Sequence, residues 1–192
     1  MSARKKFFLD EGQVLKPEWF SRRPVLVARE LLGAQLCRRM PDGAVVRWLV
    51  CETEAYDGTE DLACHASKGM TPRTRVMFGP PGRWYVYLCY GMHWMLNVVT
   101  AAEGYPAAVL LRGVFHGGIF HDGPGKLTKA LGVGGDCNGK LAVAESGLWL
   151  DSGSPIPDEA VETGPRIGVD YAGPEWAGKP WRFVWKRSCR VG

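Results

Sequence analysis

Two glutamates and a tyrosine stand at alternate positions at the end of an apolar stretch. Glu52, Glu54 and Tyr56 continue the apolar run 45–51, which predicts a buried strand. Alternate side chains of an extended chain share one face, so the two carboxyls and the phenol are expected to line one acidic ledge. A carboxylate held on a rigid strand is suited to general acid–base chemistry, such as taking a proton from an attacking water.

A histidine follows at a distance that could return it to this ledge. Thr59, with two acids behind it, is typical of a helix N-terminus, and such a helix would bring His65 over the ledge about one turn later. By strand spacing alone the two glutamates lie about 7 Å apart, which would suit an inverting glycosidase with Glu52 as acid and Glu54 as base. The ledge and His65 together form the candidate active site.

The elements that must position the ledge are short and well marked. The stretches 35–40 and 44–55 flank a Pro-Asp-Gly turn and predict a hairpin, with the ledge strand as one arm of an antiparallel pair. Pro24 opens a helix that Gly33 ends. Further short elements are predicted as helices at 17–20 and 71–78 and as strands at 148–150, 166–169 and 181–185.

A second predicted hairpin carries an aromatic residue at its tip. The β-prone stretches 84–89 and 93–100 are separated by Tyr90, Gly91 and Met92. A tyrosine at an exposed turn would suit stacking on an external base. Folding of Tyr90 down onto its own sheet is equally compatible with the sequence.

Two basic residues occupy positions that call for an anionic partner. Arg112 lies inside the apolar strand 107–114, where a charge must be paired, and a ledge carboxylate could be its partner. Lys126 follows a Gly-Pro-Gly turn that opens a helix to Leu131, and free N–H groups beside a lysine would suit a phosphate. An ordinary helix start explains that turn equally well, and Leu127 excludes a P-loop.

Composition bounds the class of protein. The chain has 192 residues, 46% of them hydrophobic, which is enough for one domain over 1–192. The balance of 24 Lys and Arg against 20 Asp and Glu is mildly basic, as suits a protein that meets a polyanion. Because no apolar run approaches the ~20 residues of a membrane span and no signal peptide is apparent, a soluble, cytoplasmic protein is expected.

The cysteines do not form a metal-binding pattern. The six are scattered without a C-x-x-C pair, and most lie in apolar runs, so reduced buried thiols are expected. Cys64 and His65 are adjacent, but no second pair stands at zinc-finger spacing. The sequence therefore predicts neither a metal nor a cofactor.

Several uncommon motifs occur in one order along nearly the whole chain, and together they resemble the alkyladenine (3-methyladenine) DNA glycosylase family. The motifs are Glu52-Thr53-Glu54-Ala55-Tyr56 with His65, Thr71-Pro72-Arg73, Tyr85-Val86-Tyr87, Tyr90-Gly91-Met92 with Asn97, Leu110-Leu111-Arg112, Gly123-Pro124-Gly125-Lys126-Leu127, Arg166-Ile167-Gly168, and Gly173-Pro174-Glu175-Trp176 with Lys179-Pro180. The expected fold is α+β: a single domain with a curved, mostly antiparallel β-sheet flanked by short helices and a protruding β-hairpin.

The resemblance implies a particular role for each residue around the ledge. Glu54 would be the general base that activates a water, Arg112 would help to hold that water, and Ile167 would offer a backbone carbonyl to the same site. Glu52 receives no catalytic role by resemblance and is expected to be structural. No lysine stands in the ledge motif to act as an amine nucleophile, so a monofunctional hydrolase without strand-cleaving activity is implied.

The resemblance also implies a pocket for one purine flipped out of the duplex. Tyr56, His65 and Tyr87 would enclose the base, Ala63 would contribute backbone, and Asn97 on the pocket floor would discriminate against bases with an extra amino group. A base stacked in a duplex cannot be reached, so it must be extruded. A purine alkylated on a ring nitrogen is cationic, leaves readily and is attracted to aromatic faces.

The partner implied by the resemblance is double-stranded DNA containing damaged purines, bound by a monomer. Tyr90 would fill the gap left in the duplex, with Met92 and His93 beside it in the minor groove. The expected DNA contacts also include Thr71, Arg73 and Lys126. Relatives often carry a longer basic connection where this chain has only 113–122. A catalytically silent lesion-binding protein and a hydrolase of free nucleosides are the alternatives.

Overall fold

The computed structural model describes residues 12–186, and within them the strands form one antiparallel sheet. Its main path runs β3-β4-β5-β2-β1-β7, while β6 pairs with β5, and β9 pairs with both β2 and β8. The sheet curls into a half-barrel. The strands are β1 (Gln35–Arg39), β2 (Val45–Asp57), β3 (Trp84–Cys89), β4 (His93–Val99), β5 (Ala107–His116), β6 (Ile119–Asp122), β7 (Leu148–Asp151), β8 (Val161–Gly164) and β9 (Arg182–Trp185).

Short helices flank this sheet. They are α1 (Pro17–Phe20), α2 (Pro24–Glu30), α3 (Pro124–Leu131) and α4 (Gly173–Ala177), with single 3-10 turns at His65–Lys68, Arg75–Phe78, Gly135–Cys137, Ala144–Ser146, Asp158–Ala160 and Asp170–Ala172. Proline stands in the first turn of each α-helix, where its missing N–H costs nothing. The α+β fold expected from the resemblance is confirmed.

Strand β2 lies at the centre of the sheet and carries the ledge. It pairs with β5 along one edge and with β1 and then β9 along the other. The β1–β2 hairpin is confirmed: Gly43 at its turn has a φ of +87°, and the Asp42 carboxylate accepts the N–H of Ala44. Because β2 is paired on both edges, the residues at its end are held by backbone hydrogen bonds on two sides.

The main core lies between the sheet and α2. Helix α2 buries Val27 and Ala28, and the Thr53 hydroxyl on the far face of β2 donates to the Ala28 carbonyl at 2.7 Å. Trp84 on β3 and Leu111 on β5 are also fully buried. Each such side chain contributes roughly 1.5–3 kcal/mol by leaving water. One face of β2 is thereby fixed against the core, which leaves the opposite face for the ledge.

Two predicted elements were wrong. Residues 59–64 form turns rather than a helix, because the Asp61 carboxylate accepts the N–H groups of Asp57 and Ala63 and holds a tight loop. The only helical structure there is the 3-10 turn that begins at His65. The strand predicted at 166–169 is a turn, with Gly168 at a φ of +75°.

The structure also describes two connecting segments and the cysteines. The helix expected at 71–78 is confined to the 3-10 turn Arg75–Phe78, and the short connection 113–122 is a tight hairpin between β5 and β6. None of the helices in the described range is long and apolar enough to cross a membrane. Five cysteines fall within residues 12–186 and are free thiols, while Cys189 and both ends of the expected 1–192 domain lie outside that range.

Candidate active site

A cavity of about 480 Å³ opens at the end of β2 beside the β3–β4 hairpin. Ten of the residues predicted from the sequence line it: Glu54, Tyr56, Ala63, His65, Arg73, Tyr87, Tyr90, Asn97, Arg112 and Ile167. The remaining four, Thr71, Met92, His93 and Lys126, are not part of its lining. The structure thus brings together side chains that are spread over more than one hundred positions of sequence.

Glu54 is the innermost ionisable group of this cavity. Its side chain is fully buried, yet it borders the cavity rather than packed apolar core. The carboxylate accepts the backbone N–H of Ile167 at 2.8 Å and the hydroxyl of Tyr56 at 2.9 Å, and Arg112 Nε lies 3.6 Å away. Two hydrogen-bond donors and one nearby positive charge therefore face this carboxylate.

Burial raises the pKa of Glu54, and it outweighs the neighbouring groups that stabilise the charged form. The Arg112 charge, the Ile167 N–H and the Tyr56 hydroxyl each act in the opposite direction and lower the pKa. Glu52 adds a small further increase. A carboxylate with a raised pKa is a stronger base than an exposed one, and a cleft position combined with such a shift is typical of a functional group.

Glu52 pairs with two arginines, and the structural role expected for it stays a prediction. Its Oε1 accepts Arg112 Nε and Arg182 Nη1, both at 2.9 Å. The partner predicted for Arg112 is confirmed, since this arginine touches both ledge carboxylates. Glu52 does not line the cavity, so the glycosidase arrangement with Glu52 as acid is not what the geometry offers.

Aromatic rings form one wall of the cavity. The His65 and Tyr87 rings meet edge to face at 4.7 Å between centroids, and Tyr85 lies 5.2 Å from Tyr87. The Arg73 guanidinium stacks 4.7 Å from the centre of the Tyr87 ring, at the mouth of the cavity. A planar, electron-poor ring is the ligand that such a wall favours.

His65 is neutral at physiological pH. Burial, followed by the nearby Arg73 and Lys68 charges, lowers the pKa of His65 to about 4. Burial also raises the pKa of Tyr85 to about 12, so its hydroxyl keeps its proton. His65 Nδ1 and the Tyr85 hydroxyl lie 2.9 Å apart and share one hydrogen bond.

The cavity floor holds an amide whose orientation is fixed. Asn97 is buried, and its side-chain NH2 donates to the Tyr85 carbonyl at 3.0 Å and towards the Met95 carbonyl at 3.5 Å. Ile167 reaches Glu54 through its N–H, and the carbonyl role expected for this residue stays a prediction. The Ala63 carbonyl accepts the Tyr171 hydroxyl at 3.0 Å.

Tyr90 projects from the β3–β4 hairpin into solvent. It is 89% exposed, with a φ of +50° that places it at a sharp turn, and Met92 beside it is also exposed. The possibility that Tyr90 packs on its own sheet is therefore wrong. An apolar tip next to a deep cavity is a surface that needs a partner.

The other predicted DNA contacts lie around this rim. Lys126 is exposed and paired with Asp122, four residues earlier. The His93 ring packs against Gly125 at the start of α3, where a Cβ would lie only 3.0 Å from the ring. Thr71 forms a local hydrogen-bonded turn with Thr74, which presents Arg73 towards Tyr87. Their roles in DNA binding stay predictions.

Sequence reasoning missed two features of the site. Tyr171 is 70% exposed and lines the cavity mouth, yet it lies in a stretch without any recognisable motif. Asp61 and Arg166 form a fully buried ion pair behind the cavity. Asp61 lies between Glu60 and Leu62 and Arg166 between Pro165 and Ile167, and neither local pattern links two positions that are 105 residues apart.

The described residues contain no group of three His, Cys, Asp or Glu side chains that could hold a metal ion. The chemistry available at the cavity is instead that of a buried carboxylate beside an aromatic slot. With an antiparallel half-barrel behind it, this arrangement is suited to general-base chemistry on a ring held in the slot.

Comparison with known proteins identifies the family. A family model described as methylpurine-DNA glycosylase matches residues 18–118 and 116–189. A protein of Myxococcus xanthus is 53% identical over 181 residues, covering 91% of each chain. One of Methanocella arvoryzae is 46% identical over 191 residues, covering 91% of this chain and 94% of its own. Both are named "Putative 3-methyladenine DNA glycosylase". The chain belongs to the methylpurine-DNA glycosylase family.

Proposed function

We propose that the chain is a monofunctional DNA glycosylase, which hydrolyses the N-glycosidic bond of alkylated purines flipped out of duplex DNA, as the first step of base excision repair. The observation that carries the proposal is Glu54: a buried carboxylate that accepts two hydrogen bonds and lies beside the Arg112 charge, at the inner end of an aromatic cavity. The cavity volume of about 480 Å³ lies within the range for sites that hold one small ligand.

Extrusion of the damaged nucleotide is the first step in this proposal. Unstacking a base costs a few kcal/mol, and an aromatic wedge inserted into the duplex offsets that cost. Tyr90 is placed for this role, because it is almost fully exposed at a hairpin tip and also borders the cavity that would receive the base. Met92 and His93 would contact the minor groove beside it.

The aromatic wall would then hold the base. A purine that carries a methyl group on a ring nitrogen is positively charged, and a cation between tyrosine faces gains roughly 0.5–2 kcal/mol. Tyr56 and Tyr87 would supply the faces, and the free ring nitrogen of His65 and the Ala63 carbonyl would contact the edge of the base. The fixed amide of Asn97 would crowd a base with an additional amino group. Deaminated purines, which are neutral, are a further proposed substrate class.

Hydrolysis follows from the position of Glu54. The bond between C1′ of the deoxyribose and the purine nitrogen breaks, and its electron pair leaves with the base. The resulting oxocarbenium-like centre is attacked by a water whose proton passes to the Glu54 carboxylate, while Arg112 helps to hold that water. In the described range no lysine lines the cavity, which supports water rather than an amine as the nucleophile.

Release of free base from duplexes that each carry one lesion tests this proposal. We expect excision of 3-methyladenine or 7-methylguanine by the full chain, and no excision by Glu54→Gln, which should still bind the lesion. Glu60→Gln is the matched control, because Glu60 is an exposed carboxylate on the following loop. Tight binding without release would instead indicate a silent lesion-binding protein.

The same assay separates duplex from nucleoside substrates. We propose that the enzyme acts as a monomer on double-stranded DNA in the cytoplasm. Equal turnover of a free nucleoside and of the duplex would contradict this, since a nucleoside hydrolase has no use for Tyr90. Binding to the lesion duplex should weaken as salt is raised, because phosphate contacts release counterions.

A further inference from the structure

Behind the cavity lies an ion pair that the proposed reaction does not use. Asp61 and Arg166 are both fully buried, and Arg166 donates Nη1 and Nη2 to the two carboxylate oxygens at 2.5 and 2.8 Å. Neither residue lines the cavity. A buried ion pair contributes little net stability, because desolvation of the charges offsets their attraction. Its position therefore calls for a reason other than stability.

Arg166 contacts the structures that surround Glu54 on one side. Its Nη1 also donates at 2.9 Å to the Ala55 carbonyl, which belongs to the peptide between Ala55 and Tyr56 on β2. Its guanidinium carbon lies 4.8 Å from the centre of the Tyr56 ring, the ring whose hydroxyl donates to Glu54. Its chain neighbour is Ile167, whose N–H is the other close donor to Glu54.

Asp61 completes the arrangement from the opposite side. Besides Arg166, its carboxylate accepts the N–H groups of Asp57 and Ala63 at 3.2 and 3.1 Å. These bonds shape the loop that carries Ala63 into the cavity and leads to His65. One ion pair thus joins the end of β2, the loop before His65 and the turn that contains Ile167.

We infer that the Asp61–Arg166 pair is a positioning device for catalysis, in which Arg166 sets the Tyr56 hydroxyl and the Ile167 N–H that orient the Glu54 carboxylate. The inference rests on the proposed function. Arg166 touches neither the cavity nor the reacting atoms, so it acts through Tyr56 and Ile167. The charged groups that face Glu54 most closely are Arg112 and Glu52, and the Arg166 charge is also coupled to Glu54, so the charge-conserving Arg166→Lys variant is the one that isolates the geometry.

A positioning role predicts a change that loss of stability alone would not cause. The two donors favour the ionised form of Glu54, and burial opposes it. If Arg166 is altered, the donors shift, the pKa of Glu54 rises further, and a smaller fraction is ionised at neutral pH. In a plot of the rate of base release against pH, the rise on the acid side should therefore move to higher pH, and the maximum rate should fall.

The test compares two changes with the unchanged chain. Arg166→Lys keeps the buried charge but loses the forked geometry, and the double variant Asp61→Asn with Arg166→Gln removes both charges and leaves none unpaired. Single-turnover release from a 7-methylguanine duplex is followed against pH with enzyme in excess. We expect the maximum rate to fall about tenfold for either variant, the acid limb to move upwards, and lesion binding to change by less than about threefold.

A control variant and a double-mutant cycle complete the test. Arg29→Lys alters a different arginine that pairs with an aspartate and a backbone carbonyl, remote from the cavity, and should leave the profile unchanged. Tyr56→Phe combined with Arg166→Lys should cost less than the product of the single effects, because both act through one hydroxyl.

The outcomes separate the inference from the function on which it rests. Earlier melting of the Arg166 variants with an unchanged rate and acid limb would overturn the positioning role and leave a purely structural pair. Fully multiplicative effects in the cycle would overturn the route through Tyr56. Absence of base release by the unchanged chain would overturn the proposed function, and the inference with it.

Discussion

Replacing Glu54 by glutamine should remove activity and at the same time stabilise the protein. Glutamine has the same shape, and its Oε1 can still accept the Ile167 N–H. Its amide nitrogen would face the Tyr56 hydroxyl, which can turn from donor to acceptor. The substitution keeps the shape of the side chain and both of its heavy-atom contacts, so it separates the loss of the ionisable group from a loss of packing.

The activity change follows from the loss of the base. General-base catalysis contributes about 10²–10⁴-fold, so the single-turnover rate of base release should fall by at least about 10². In the unchanged enzyme the rate should rise with pH through the raised pKa of Glu54, and the midpoint should lie above the ordinary carboxyl value of 4.5. Glu54→Gln should show no such limb.

The stability change follows from linkage. Because the pKa of Glu54 is raised in the folded state, the stability associated with its protonated form is present at low pH and is lost as pH rises through the folded pKa. Glutamine never ionises and avoids this loss. The variant should therefore melt a few degrees higher at neutral pH, since about 2–4 °C corresponds to 1 kcal/mol for a chain of this size. The advantage should vanish below about pH 4.3, where the unfolded carboxyl is protonated as well.

Calorimetry or circular-dichroism melting across the pH range gives the measurement, with Glu60→Gln as the control for an exposed carboxyl. The reasoning is refuted if Glu54→Gln melts below the unchanged chain at neutral pH, or if it releases base at more than about one hundredth of the normal rate. The first result would show that ionised Glu54 is a net stabilising partner of Arg112.

Three further changes address the cavity rim and floor. Tyr90→Ala should slow base release from a fully paired duplex by about tenfold or more and affect a lesion in a mismatch less, because the wedge offsets the cost of unpairing; equal effects on both substrates would contradict a wedge. Asn97→Ala should raise excision of bases with an exocyclic amino group relative to 3-methyladenine, as competition assays with paired substrates would show. Tyr171→Phe removes the hydrogen bond that the Tyr171 hydroxyl donates to the Ala63 carbonyl, which is worth about 0.5–1.5 kcal/mol. The rate of base release should change by less than about tenfold, whereas a complete loss of release would indicate a direct role in the reaction.

Much of the candidate site could be predicted because the sequence patterns that indicate it are local. The Pro-Asp-Gly turn fixed the β1–β2 hairpin, and alternation along β2 correctly placed both ledge carboxyls and Tyr56 on one face. The exposed turn between two β-prone runs indicated Tyr90, and a charge within an apolar strand indicated a partner for Arg112. Each of these depends on residues close together in sequence or on a simple rule of burial.

What could not be predicted depends on contacts between distant segments. Thr59 was expected to cap a helix, but Asp61 instead pairs with Arg166 and holds a loop, and no helix forms. The same pair explains why 166–169 is not a strand: the Arg166 side chain turns inwards to Asp61, and the backbone turns at Gly168. Local propensity was overridden by a tertiary ion pair.

The double pairing of β2 has a consequence for how the site can change. A strand bonded to neighbours on both edges is among the last segments to open, so its amides should exchange with solvent slowly, while the 3-10 turns and the hairpin tip exchange fast. Glu54, the proposed base, thus lies on backbone that should open last, whereas His65 on a 3-10 turn and Tyr90 at the hairpin tip lie on segments that should open first. Substitutions at His65 and Tyr90 should therefore leave the backbone around Glu54 in place.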